Sequence, residues 1–496
     1  MSLIVRNTLY SSADSVVLMV LAFLNISILT SSYGVAGFGV YSLLIIFSVY
    51  GSLVAFDLGI EATVIHRIAR FMNEKVRDLS AARETYITAT FTLFGLGALV
   101  GLATFCLLYF STEIFVAGDE LASSMVRSSA VFVSTAIPLQ FGAMAANGVL
   151  LGLEKYFIAK LLNSLNLVAN SCTIVYCAWL NMHLSDIFQI YLYISILRFV
   201  ALQAVIYREI DVTKTKAFSL IRASIELLRE SRVLFFSRIT GLIFNYTDRI
   251  VISTVMGPTS LGFYEILKRL VIPVQLLNTV LVSAILPAVT RLLANDNWAA
   301  AKNTLQAITT VATYFISFLI SATFLLVDPF VDLWLSDVEL PQGFSDWVAI
   351  PLIWIFINIV PSIINTVALA LGKVRETLIY GGIGALINLV ATILIIQAYG
   401  IVGVLFATLA AHSVIAVFYY RLVFYENLLS LKSLAKTTAR ALTFMFFSIC
   451  IGSYFLDPAG LFQWMASTLS ILLILAVFLF RRDFYFAFLV LMKKTT

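Results

Sequence analysis

Runs of about 20 apolar residues recur along the whole chain, the length a helix needs to cross a hydrocarbon core roughly 30 Å thick. Charged residues make up only 12% of the sequence and hydrophobic residues 61%, whereas a soluble domain carries about a quarter of its residues as charges. A chain this apolar would expose more hydrophobic surface than water tolerates. The fold class that remains is an all-α integral membrane protein.

Fourteen spans are predicted, at roughly 10–31, 38–60, 86–110, 128–151, 160–180, 187–207, 233–255, 262–286, 304–327, 347–371, 377–398, 401–422, 441–456 and 462–480. The first run, Tyr10 to Thr30, is too long for a signal peptide and lacks a small-residue cleavage site, so it reads as a span. Orientation follows from the basic residues of the loops. With the N-terminus inside, 26 of the 32 Lys and Arg fall on the cytoplasmic side and Arg127 alone falls outside. Both termini are therefore expected in the cytoplasm.

No loop exceeds about 25 residues, and no Walker A glycine loop is present to bind a nucleotide. Loop 328–346 is the one sizeable outer candidate for a catalytic segment, and it holds five acids and no base. Cys106, Cys172, Cys177 and Cys450 lie in apolar runs without CxxC spacing, and His66, His183 and His412 are scattered. These residues predict neither disulfide nor metal site, and nothing in the sequence points to nucleic acid.

Two patterns recur at nearly one offset. Gly34-x4-Gly39-x-Tyr41-x2-Leu44 returns as Gly257-x4-Gly262-x-Tyr264-x2-Leu267, 223 residues on. Asn147-x7-Lys155-x14-Asn170 returns as Asn365-x7-Lys373-x14-Asn388, 218 residues on. Each is displaced by six spans, which predicts a duplicated six-helix unit. Six is even, so the copies keep one orientation and form a parallel repeat, the arrangement of a two-lobed transporter. The expected division is an N-lobe (1–207), a cytoplasmic amphipathic linker (208–232), a C-lobe (233–422), and two further spans with a cytoplasmic tail (423–496).

Ionisable groups at bilayer depth cost about 2.5–3.5 kcal/mol each on insertion scales and mark cavities or partners. The second lobe holds Arg238, Asp248, Arg249, Glu265, Lys268 and Arg269; the first holds Asp14, Asp57, Glu61 and Arg198. Arg198, Arg238, Arg249, Lys268 and Arg269 are candidates for an anionic ligand such as a pyrophosphate, with Asp248 and Glu265 as charge partners. Asp14, Asp57 and Glu61 are candidates for H⁺ or Na⁺ coupling. For Asp57 and Glu61 an interfacial acid pair beside Arg67 and Arg70 is the alternative. The cavity is expected to be polarised, acids in the first lobe and bases in the second. Pro273, one turn beyond Arg269, is the candidate hinge. Gly97-x3-Gly101 is a helix-packing motif.

The stretch FNYTDRIVISTVMGPTSLGFYEILKRL (244–270) resembles the seventh-to-eighth helix signature of bacterial polysaccharide flippases. These are the Wzx-type O-antigen and exopolysaccharide transporters of the multidrug/oligosaccharidyl-lipid/polysaccharide superfamily. Asn245, Asp248, Arg249, Gly257, Pro258, Gly262 and Tyr264 carry the match, and AFDLGIEATV (55–64), NGVLLGLEKY (147–156) and ALGKVRETLI (370–379) are similar to other parts of that family. The resemblance implies a MATE-like fold with alternating access. It implies an undecaprenyl-pyrophosphate-linked oligosaccharide as cargo, moved between leaflets of the bacterial inner membrane alongside other polysaccharide assembly proteins. It also implies coupling to a Na⁺ or H⁺ gradient without fixing the residue. A MATE-type exporter of small molecules, a peptidoglycan-precursor flippase and a membrane polysaccharide polymerase are the alternatives.

Overall fold

A computed structural model describes residues 3–48, 51–72, 78–210, 219–294, 297–455 and 461–492, with the backbone alone over 3–18, 280–288, 461–466, 484–492 and a few further positions. All regular structure among the described residues is helical. In chain order come α1 (Leu3–Ile46), a 3₁₀ turn (Ser52–Asp57), α2 (Ile60–Phe71), α3 (Leu79–Phe110), α4 (Thr112–Phe115), α5 (Glu120–Gly152), α6 (Tyr156–Trp179) and α7 (Leu184–Ile210). There follow α8 (Leu220–Met256), α9 (Pro258–Ala294), α10 (Trp298–Trp334), α11 (Phe344–Trp347), α12 (Ala349–Ala370), α13 (Val374–Tyr425), α14 (Leu431–Phe455) and α15 (Leu461–Met492). α1 is broken at Gly34 and α13 at Gly400, both in non-helical conformations. With those breaks, each of the 14 expected spans has its helical segment. Nine helices among the described residues are long and apolar enough to cross a membrane.

Two segments differ from their sequence expectation. The second span is not one helix: it stops at Ile46, passes through the 3₁₀ turn, and restarts at Ile60. Leu58 (φ 56°) and Gly59 (φ 77°) both take left-handed conformations there, which no helix can continue through. The segment expected as a surface linker is, from Leu220 onward, the first part of α8, which runs unbroken to Met256.

The chain divides into two compact units, Met1–Glu265 and Ile266–Thr496. Large apolar side chains point outward in both, Trp179 being 78% and Phe478 84% exposed, while carboxylates such as Asp57 and Asp248 are buried. This inversion suits a chain solvated by lipid. In the first unit α3 packs on α5, and the Gly97-x3-Gly101 motif makes the contact: a Cβ on Gly97 would lie 2.8 Å from Pro138 Cα, and one on Gly101 would lie 2.7 Å from the Ser134 carbonyl oxygen. In the second unit α14 and α15 pack on α10. There Tyr314 stacks on Phe480 at 3.9 Å and donates to Asp483 at 2.6 Å, and Arg440 pairs with the same carboxylate.

The duplication is written into the backbone. Gly34 (φ 70°, ψ 174°) and Gly257 (φ 83°, ψ 174°) end their helices in one conformation, open essentially to glycine alone. Glu154 (φ 60°) and Gly372 (φ 75°) are equivalent left-handed residues, each followed by the repeated lysine. Lys155 then pairs with Glu209 at 3.2 Å, and Lys373 with Glu426. The two hairpins also touch reciprocally inside the first unit. A Cβ on Gly39 would collide with the Pro258 carbonyl, and one on Gly262 would lie 2.5 Å from the Val35 carbonyl oxygen. Val35 and Pro258 are themselves equivalent positions, so the contact has a local two-fold symmetry.

Gly34→Ala and Gly257→Ala should each lower stability by about 1–3 kcal/mol, the range for a residue forced into a sparsely populated backbone region. Denaturant unfolding in detergent reads the loss. Gly95→Ala is the control, because a Cβ there meets nothing within 4 Å.

Candidate functional site

The interruption of the second span builds the first polar cluster. Asp57 closes the 3₁₀ turn, and its carboxylate accepts from the backbone N–H of Gly59 at 2.9 Å and of Glu61 at 3.4 Å. Those bonds satisfy donors at the start of α2, where a helix N-terminus also favours negative charge. The same carboxylate meets Arg238 Nη1 of α8 at 2.8 Å. Glu61, one turn further, accepts from Asn147 Nδ2 of α5 at 2.7 Å and lies in the fields of Asp57, Arg238 and Arg198. Arg198 on α7 donates to Asn163 Oδ1 of α6 at 3.1 Å, and its Nε is buried without a hydrogen-bond partner.

Two acids and two arginines thus converge in one unit, helped by Asn147 and Asn163. The expected polarity, acids in the first lobe and bases in the second, is bridged here. An acid of the first repeat neutralises a base of the second. Arg67 goes elsewhere, to Glu230 of α8 at 2.7 Å. That pair helps line a cleft of about 450 Å³ between α2 and α8, together with Thr63, His66, Arg70, Phe71 and Glu226. The hydrogen bond from Arg67 holds the Glu230 carboxyl below its ordinary range.

A second cluster flanks the Gly257 turn. Asp248 is 1% exposed and accepts from the Tyr264 hydroxyl at 2.7 Å. Arg249 Nε approaches Glu265 Oε1 to 2.6 Å, without the alignment of a hydrogen bond, so the contact is Coulombic. The Arg249 guanidinium also lies 5.2 Å from the Tyr246 ring centroid. Asp248 and Glu265 each have a partner within the α8–α9 hairpin.

Lys268 and Arg269 follow on α9, in the second unit. Lys268 lies 5.1 Å from the centroid of Trp354 on α12, and Trp354 packs on His412 of α13 at 5.8 Å. Arg269 is half-buried and makes no ion pair among the described residues. Pro273 lies within continuous α9. Asp14 is in α1, but its side chain lies outside the described residues.

The sequence did not point to the Asp57–Arg238 and Arg67–Glu230 pairs, the Tyr264–Asp248 bond or the Trp354 platform. Asn147 was visible as part of the repeated pattern and Glu61 as a candidate coupling acid, but their pairing was not. A closer signal was available for Tyr264, which lies sixteen residues from Asp248 across a glycine turn.

Charged side chains buried inside an apolar, duplicated helical bundle are the build of a multi-pass membrane protein. The profile of the family described as "Polysaccharide biosynthesis protein" matches residues 4–293, and the chain belongs to that family. A second profile, MatE, matches residues 234–394. No curated protein sequence matches the chain. Among solved structures, lipid II flippase MurJ in an inward closed conformation shares the fold with a TM-score of 0.76 at 16% identity, over 96% of this chain and 99% of that one. An inward-facing multidrug-resistance MATE family transporter of the MOP superfamily matches with a TM-score of 0.67 at 13% identity, over 83% and 94%. The MATE multidrug transporter DinF-BH in complex with R6G matches at 0.60 and 14%, over 84% and 94%. The fold is that of MOP-superfamily flippases and transporters, in a multi-pass membrane protein.

Arg249→Ala should destabilise the protein by about 3 kcal/mol, because it leaves the Glu265 carboxylate, only 5% exposed, without its counter-charge. The double change Arg249→Ala with Glu265→Gln should recover most of that loss. Thermal unfolding of the two variants in detergent reads the difference, and equal losses would contradict the pairing.

Proposed function

We propose that this protein is a flippase for an oligosaccharide linked by pyrophosphate to undecaprenol. It moves its cargo from the cytoplasmic to the periplasmic leaflet of the bacterial inner membrane by alternating access. In this reading both termini face the cytoplasm, and a Na⁺ or H⁺ gradient drives the cycle through Asp57, Glu61 or Asp14. Pro273 serves as the hinge, and other polysaccharide assembly proteins deliver and receive the cargo.

The observation that carries the reading is a surplus of intramembrane basic groups. Arg198 and Arg269 have no carboxylate at ion-pair distance among the described residues, and Arg198 keeps a buried Nε unsatisfied. A guanidinium left in that condition suits a phosphate-bearing ligand, which it can hold with two parallel hydrogen bonds. The membership in a polysaccharide biosynthesis family supports a glycan as the other part of the cargo.

Two other readings have specific support. The likeness to MurJ over nearly the whole chain supports a peptidoglycan precursor, which has the same lipid pyrophosphate and a different headgroup. The MatE profile supports an exporter of small molecules. A cationic drug would have to occupy a bundle with five basic residues at membrane depth, which disfavours that reading.

Mass spectrometry of lipids that co-purify with the protein separates these readings. The flippase reading predicts a bound polyprenyl-pyrophosphate sugar, lost from Arg198→Ala and Arg269→Ala variants that remain folded. A pentapeptide-bearing headgroup would select the peptidoglycan precursor instead. Preparations free of any polyprenyl pyrophosphate would contradict both.

A further inference from the structure

Lys268 of α9 sits against an aromatic face. Its Nζ lies 5.1 Å from the ring centroid of Trp354 on α12. Trp354 is only 3% exposed, and the His412 ring of α13 packs on the same indole at 5.8 Å and 25°. Burial leaves the indole no room to swing aside, so it is a fixed platform within the second unit. The duplicated frame does not itself need a cation at this place. At the offsets of the two repeated patterns, Lys268 and Trp354 have the apolar residues Ile45 and Ala136 as their first-copy counterparts.

An aromatic face attracts a cation through its quadrupole and carries no net charge. It fixes where an ammonium sits and leaves the charge of that ammonium intact. A carboxylate in the same position would offset the charge and compete with any anion that approached. We propose that Trp354 is a positioning residue for the pyrophosphate of the cargo, acting through Lys268. The inference rests on the flippase reading above and adds to it the side chain that aims one of the phosphate-binding bases. A lysine has particular use for such a platform, because its compact charge rides on a flexible four-carbon stem. Held in advance, the ammonium loses less freedom when an anion binds. Arg249 shows the contrast: its guanidinium lies 5.2 Å from the Tyr246 ring centroid, and Glu265 offsets its charge at 2.6 Å. Trp354 offsets nothing on Lys268, which is half-buried rather than sealed from a ligand.

The test measures binding of farnesyl pyrophosphate, a short water-soluble prenyl pyrophosphate, to the full-length protein in detergent. Trp354→Phe keeps an aromatic face and should bind within about threefold of wild type. Trp354→Leu removes the face and should bind about tenfold more weakly, in the range of a desolvated cation–π contact. Lys268→Met should lose at least as much. The double variant, Trp354→Leu with Lys268→Met, should bind no more weakly than Lys268→Met alone, because Trp354 acts only through the ammonium.

Fluorination separates this role from packing and keeps the test decisive if Trp354→Leu does not fold. Tryptophan carrying increasing numbers of ring fluorines nearly keeps its shape while its face loses negative charge, so binding should weaken stepwise with fluorine content. The same labels in the Trp354→Phe variant, where the other tryptophans remain, should leave binding level. Binding that tightens or stays level with fluorine content in wild type overturns the positioning role, as do additive losses in the double variant. Absence of binding by wild type itself would remove the flippase reading and this inference with it. Binding by wild type that survives both Lys268→Met and Trp354→Leu removes the inference alone.

Discussion

A charge taken into hydrocarbon must be met by another charge, a hydrogen-bond donor or acceptor, or water, and this requirement organises the interior of the protein. Burial of an isolated ion costs several kcal/mol even after relaxation. Each charged side chain within the spans therefore ties its helix to whatever satisfies it. Asp57 ties the broken second span to α8 through Arg238. Glu61 ties α2 to α5 through Asn147, Arg198 ties α7 to α6 through Asn163, and Arg249 closes the α8–α9 hairpin on Glu265. The outward faces of these helices are apolar and suit lipid, as the exposure of Trp179 and Phe478 shows.

The second organising element is the repeat. Equivalent glycines, Gly34 and Gly257, break the chain in one conformation, and equivalent glycines, Gly39 and Gly262, let the hairpins approach backbone to backbone. The repeated lysines pair with glutamates near the ends of equivalent helical segments, Lys155 with Glu209 and Lys373 with Glu426. The duplicated frame is symmetric, and the charges laid on it are not. Asp248, Arg249 and Glu265 have as their first-repeat counterparts Asn25, Ile26 and Ser42. Asn25 makes a neutral bond to Ser171 at 3.0 Å. The asymmetry runs both ways, since Asp57 and Glu61 of the first copy have Val280 and Ala284 as their counterparts in the second.

Much of this architecture was legible in the amino-acid sequence because the bilayer imposes a length and a polarity on every span. The helical segments, the duplication and the intramembrane charges were all readable. The break in the second span was not, because Phe56-Asp57-Leu58-Gly59 is apolar enough to continue a helix; its left-handed backbone depends on Asp57 accepting from Gly59 and Glu61. Partnership was also hidden. Arg238 and Asp57 lie on opposite sides of the repeat boundary, and no spacing rule relates residues that meet only through packing. Local pairs fared better: Asp248 and Glu265 were expected as charge partners of nearby bases, and Glu265 does meet Arg249. Asp248 also takes the hydroxyl of Tyr264, a neutral partner that a count of charges cannot reveal.

The proposed function requires that intramembrane basic groups carry a pyrophosphate-bearing lipid across the membrane. Reconstitution into vesicles tests it most directly. A fluorescently labelled undecaprenyl-pyrophosphate oligosaccharide is placed in both leaflets, and an impermeant quencher is added outside. The protein should bring the inner-leaflet fluorophore within reach of the quencher, while the same sugar on a neutral lipid carrier stays protected. Equal movement of both lipids, or none of either, would contradict it.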